Sequence, residues 1–317
     1  MKTNMKTKIL TAFIVLGMAG MASNAFATGA AYTISSGAYS SGQAIFSDPG
    51  AITSFISTDT GQANALLNGF GTTNSFTGVS TPNSGVNGIG TSSTNTPSTP
   101  PTFVPIGQIG NYAYASAAIP TIQTASAPTT TFISAKTIAE ANVQAGNASQ
   151  SAASVGSNSN ITFSFGVSGS TNLVFSVNAD PFLQAIVTSP NGIEAYANET
   201  ASIKLVDTST NVTMFDFTPN GATGHDVTGF GTYTVNSDPF SLNNNIDQLG
   251  SPGTLTYNPG TGLFEITDNG LTTGNYTLTL AVENNESTIT SVPEPGTMLL
   301  MGAGLFGLGV FYRRKKA

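Results

Sequence analysis

The hexapeptide Val177-Asn178-Ala179-Asp180-Pro181-Phe182 recurs as Val235-Asn236-Ser237-Asp238-Pro239-Phe240. Each copy sets a carboxylate two residues after an asparagine, at the end of a run that reads as a strand. Local chemistry accounts for the pattern: aspartate accepts backbone N–H bonds where a turn starts, proline fixes the next φ, and phenylalanine returns to the core. Carboxylates and Asn carbonyls converging at strand-end loops are also the ligands calcium takes. Asp180 and Asp238 are therefore the candidate metal ligands, with Asp216, Asp226 and Asp247 as further oxygen donors. Neither an EF-hand loop nor a calcium-binding nonapeptide repeat is present to fix such a site.

Other chemistries find little material. The chain has one histidine, His225 in a Gly-rich stretch, and no cysteine or tryptophan. That excludes thiolate zinc, iron–sulfur, disulfide and thiol chemistry and leaves almost nothing for a nucleophile triad. A pair of carboxylates acting on a glycosidic bond is the catalytic arrangement that composition still allows. No motif marks one, so a non-catalytic protein is expected. No phosphate-binding loop occurs. Gly69-Phe70-Gly71-Thr72 and Gly229-Phe230-Gly231-Thr232 read as turns, and the six N-x-[ST] sequons are near chance for so much Asn, Ser and Thr.

Only 8% of the 317 residues are charged, and their distribution is uneven. Lys2, Lys6 and Lys8 open the chain, and Arg313, Arg314, Lys315 and Lys316 close it. From Asp48 to Glu286 stand two lysines, Lys136 and Lys204, against 15 acids, a net charge of −13 where the whole chain carries −7. An acidic body argues against nucleic-acid partners, which need a basic footprint. Basic ends flanking apolar runs are membrane-directed signals.

Residues 1–27 read as a secretory signal peptide: a basic start, a 13-residue apolar run from Ile9 to Met21, and a small-x-small cleavage site at Ala25 and Ala27. The partners expected are the Sec export machinery and signal peptidase. Residues 292–317 read Val292-Pro293-Glu294-Pro295, then an apolar stretch taken as a transmembrane helix over 297–312, then the stop-transfer cluster Arg313 to Lys316. In this order the elements resemble the PEP-CTERM sorting tail. The resemblance implies a Gram-negative bacterium, a transient inner-membrane anchor, and recognition by an exosortase. It also implies delivery to the cell surface or an exopolysaccharide matrix, with extracellular polysaccharide as a further partner. Ser151-Ala152-Ala153-Ser154-Val155-Gly156 more distantly resembles part of the motif of one PEP-CTERM group, which begins Glu-Asp-Ser-Ala; here Ser149 and Gln150 stand where the acids would be.

The body divides into an N-terminal segment (28–70), a Ser/Thr/Asn/Gly/Pro-rich linker or loop (71–105) and a β body (106–291). Asp48-Pro49-Gly50 is read as the cap of a short helix over 51–56. Residues 135–155 are ambiguous, because their alanines favour helix while glycines and serines oppose it. Beyond Asn160 the period is two: Ile161/Phe163/Phe165/Val167, Leu173/Phe175/Val177, Ile203/Leu205, Phe215/Phe217, Leu255/Tyr257, Phe264/Ile266 and Tyr276/Leu278/Leu280/Val282. Many short strands without intervening helices predict a mostly β fold, an antiparallel sandwich or jelly roll. Leu271-Thr272-Thr273-Gly274-Asn275-Tyr276 looks like a tyrosine corner, though an ordinary Gly turn before a core tyrosine reads the same way. A glycan- or calcium-binding, adhesin-like sandwich is the alternative function, and a secreted hydrolase a third.

Overall fold

The computed structural model describes residues 31–67, 70–80, 89–93, 105–108, 111–126, 130–143, 152–188, 193–221 and 226–290. The signal peptide, the sorting tail with its transmembrane stretch, and His225 lie outside the described residues. In chain order the strands are β1 (Ala31–Phe46), β2 (Ile52–Leu67), β3 (Phe70–Ser80), β4 (Ile89–Ser93), β5 (Tyr112–Ser126), β6 (Thr130–Val143), β7 (Ala152–Val167) and β8 (Thr171–Val187). They continue with β9 (Ile193–Asp207), β10 (Val212–Phe217), β11 (Val227–Thr228), β12 (Tyr233–Ser237), β13 (Asn244–Leu249), β14 (Gly253–Tyr257), β15 (Gly262–Leu271) and β16 (Gly274–Thr290).

These strands make two eight-stranded antiparallel sheets, a β-sandwich. Sheet I runs β12-β15-β8-β1-β6-β5-β4, with β14 also on β8. Sheet II runs β11-β10-β9-β16-β7-β2-β3, with β13 also on β9. Some consecutive strands cross between layers, as β1, central in sheet I, does to β2, which pairs with β7 in sheet II, while others such as β5 and β6 stay in one sheet.

The alternating apolar runs become the inner faces of β7, β8, β9, β15 and β16, as their period predicts. They meet in one cluster including Phe163, Phe165, Phe175, Phe215, Phe217, Phe264, Leu278 and Leu280. Phe165 packs edge-on against Phe46 (5.0 Å between centroids) and stacks with Tyr276 (5.7 Å). Burying each such side chain contributes about 1.5–3 kcal/mol. Tyr276 forms the tyrosine corner: its hydroxyl donates to the Thr272 carbonyl (2.9 Å) and accepts from the Thr272 N–H (3.3 Å).

Three expectations change. The helix over 51–56 is absent: Asp48 does cap, accepting from Gly50 N–H at 3.0 Å, but only a 3-10 turn at Pro49–Ala51 follows. Strand β2 starts at Ile52 because Ile52, Thr53 and Ile56 favour extended backbone and the Ala51 carbonyl is taken by Ser168 N–H at 2.8 Å. Of residues 135–155, those described are strand: Ala135, Ala139 and Ala141 on β6 and Ala153 on β7 are buried between the sheets. Strands β1 and β2 belong to the segment drawn as N-terminal. Strand β4 and all but the first residue of β3 belong to the stretch drawn as a linker, so both contribute to the sheets.

Candidate functional site

The two hexapeptides occupy different environments. Val177–Phe182 sits inside the continuous strand β8 rather than at a turn. Pro181 falls where β8 lacks an outer neighbour: β15 begins its pairing at Gly262↔Ala179, and β14 ends its own at Tyr257↔Leu183. A residue with no N–H is tolerated there at little cost. Asp180 is exposed. The second copy behaves as the sequence suggests: β12 ends at Ser237, and the buried Asp238 accepts N–H bonds from Asn220 (3.3 Å) and Gly221 (3.0 Å). Gly221 adopts φ +80°, and a Cβ there would lie 3.1 Å from Phe240 Cα, so the turn requires glycine.

The neighbour of Asp238 is Asp226, not Asp180. Burial, then the hydrogen bond and charge of Asp238, push the Asp226 carboxyl up to about 7. Backbone N–H groups of Asp226 and Asn220 ease the rise, and a proton shared with Asp238 links the two carboxyls. Asp216 instead forms a partly exposed ion pair with Lys204 at 3.3 Å, and Asp247 pairs with Tyr196 along β13 and β9. Among the described residues no group of three or more acids or histidines stands where it could hold a metal ion.

Five further carboxyls are buried, which sequence reading missed: Asp59, Asp268 and three glutamates. Glu199, fully buried on β9, accepts from the Tyr39 hydroxyl at 2.7 Å. Burial pushes it up to about 8, against the lowering effect of that bond and with the charge of Asp180 adding to the rise. Gly37 makes the room, since a Cβ there would lie 2.5 Å from Glu199 Oε1. Glu286 is held well above its usual range by burial, eased by the Thr33 and Ser35 hydroxyls and raised further by Glu140. Glu140 lies on the outer side of sheet I, beneath residues 105–108. It accepts from Tyr32 (2.7 Å), Ile106 N–H (2.8 Å) and Gly107 N–H (2.8 Å), with the Tyr112 hydroxyl 2.8 Å away. These acids sit among buried hydrogen-bonded side chains: Thr137 donates to Asn284 (2.8 Å), and Asn284 donates to Ser35 (2.7 Å).

The outer face of sheet II carries hydroxyls and amides in cross-strand rows. Thr60, Asn160, Ala281 and Ser202 stand side by side on β2, β7, β16 and β9. The next row is Gln62, Asn158, Glu283 and Thr200. A groove of about 290 Å³ runs over these rows between Asn158, Asn160, Thr200, Ser202 and Glu283, with Thr218 and Asn243 also lining it. None of the carboxyls with raised values lines it; Glu283, which does, accepts from Asn285 at 2.7 Å.

Comparison with known proteins identifies the chain's end. Residues 291–315 match the PEP-CTERM protein-sorting motif. The chain carries a PEP-CTERM sorting tail: its C-terminus is of the kind sorted by an exosortase, which implies export to the surface or outside the cell. No curated protein and no solved structure matches the chain. No helix among the described residues is long and apolar enough to cross a membrane.

Proposed function

We propose that the chain is a non-catalytic protein of the cell surface or extracellular matrix of a Gram-negative bacterium. It is exported by Sec, cut after Ala27, held transiently in the inner membrane by residues 297–312, and released to its destination by an exosortase. The observation that carries this reading is the sorting motif at residues 291–315. A non-catalytic role draws support from the raised carboxyls, which are interior or beneath a turn and are absent from the lining of the sheet II groove. Replacing Pro293 and Pro295 with alanine tests the sorting step. The expected result is a protein that keeps its tail, seen as a larger mass in the membrane fraction, with a matching fall at the surface. Unchanged tail processing and surface delivery would overturn the exosortase reading.

A further inference from the structure

We propose that the groove on the outer face of sheet II binds an uncharged polysaccharide. Asn158 and Asn160 on β7, with Thr200 and Ser202 on β9, line it, and their side chains make no hydrogen bond to the described residues. Amides and hydroxyls both donate and accept, which matches a ligand whose own groups are hydroxyls that do the same. Packing fixes one wall. The Asn243 amide donates to the carbonyls of Ala201 (3.0 Å) and Pro219 (3.0 Å) and accepts from Ala201 N–H (3.1 Å). Asn243 is therefore held before any ligand arrives, which lowers the ordering cost of binding.

Charge selects among glycans. No cation lines the groove, Glu283 stands at it, and the body carries two lysines against 15 acids. An anionic polymer is repelled, and a neutral one is not. With no aromatic ring in the lining, affinity comes from hydrogen bonds and is modest at each sugar. A volume of about 290 Å³ lies at the lower end of ligand clefts and takes a short stretch of a polymer. The hydroxyl and amide rows continue past the groove onto β2, so a longer chain gains further contacts along the same face. The inference rests on the proposed function only in requiring an outward-facing body.

The test is native affinity electrophoresis of the full-length chain in gels containing hydroxyethylcellulose, glucomannan or dextran, and separately alginate or polygalacturonate. The expected result is retardation in at least one neutral gel and none in the anionic ones. N158A/T200A is expected to weaken binding about tenfold, as loss of two side-chain hydrogen bonds implies. T256A on sheet I leaves binding unchanged. Thermal melting of each variant shows that it still folds. Three results would each overturn the inference: no retardation in any neutral gel, comparable retardation in anionic gels, or undiminished binding by folded N158A/T200A. Failure of the proline variants to alter sorting would leave this result standing, so the two readings fail separately.

Discussion

The two ends of the sandwich interior are built from different side chains. Toward one end phenylalanines and large aliphatics interlock across the sheets. Toward the other the inner faces carry alanine, serine, threonine and asparagine around Glu199 and Glu286. Both interiors exclude water, yet they are held by different forces. The first depends on apolar area and shape. The second depends on hydrogen bonds whose loss strands a buried partner, and on protons that keep its carboxyls neutral. Stability should accordingly respond to different perturbations at the two ends.

The largest effect is expected at the apolar end. Phe175 is fully buried, and Phe175→Ala should cost about 3–5 kcal/mol in urea unfolding, independent of pH. A cost below about 1 kcal/mol would mean that this end is not the better-packed one.

The polar end should respond to pH. Folded Glu199 holds its proton up to about pH 8, while the unfolded chain releases it near 4.5. The folded state binds more protons across that interval, so stability present below it is lost as pH rises through it, by on the order of a few kcal/mol. Asp226, pushed up to about 7, and Asp268, pushed up to about 6 by burial, add the same sign. Glu199→Gln keeps the Tyr39 partner without the titration, so its urea midpoint should fall less between pH 5 and 9 than that of the natural chain. An equal fall in both would remove Glu199 as a source of the slope.

Next in size is Asn284→Ala. It leaves Thr137 and Ser35 without the amide that links β6, β16 and β1, at a cost of about 2 kcal/mol. A negligible cost in a folded variant would show that the buried hydrogen bonds do not carry the polar end.

The same contrast explains which parts of the fold could be read from the chain. Strands β7, β8, β15 and β16 were legible because their inner residues are Phe, Ile and Leu set against Thr and Ser. Strand β1 was not. Thr33, Ser35 and Gly37 face the interior of the sandwich, while Tyr32 and Ile34 pack on the other side of the sheet, under residues 105–108. Alternation of hydrophobicity there points to the wrong face. The tyrosine corner and the sorting tail were legible because each is local in sequence. The groove was not, since Asn158 and Thr200 become neighbours only through their shared pairing with Glu283 on β16.

The smallest effect separates the two hexapeptides and bears again on the polar end. Asp180 and Asp238 are equivalent in sequence, but one is exposed and the other anchors a turn and faces Asp226. Asp238→Asn should therefore destabilise by about 1 kcal/mol or more at pH 5, where the shared proton matters. Asp180→Asn should change stability there by less than about 0.5 kcal/mol. At pH 9 the sign is specific: Glu199 has then lost its proton, the charge of Asp180 acts against it in the folded state, and removing that charge should make D180N slightly more stable than the natural chain. If the two variants instead cost the same at both pH values, the copies are equivalent in the fold. The charge of Asp180 would then not reach Glu199.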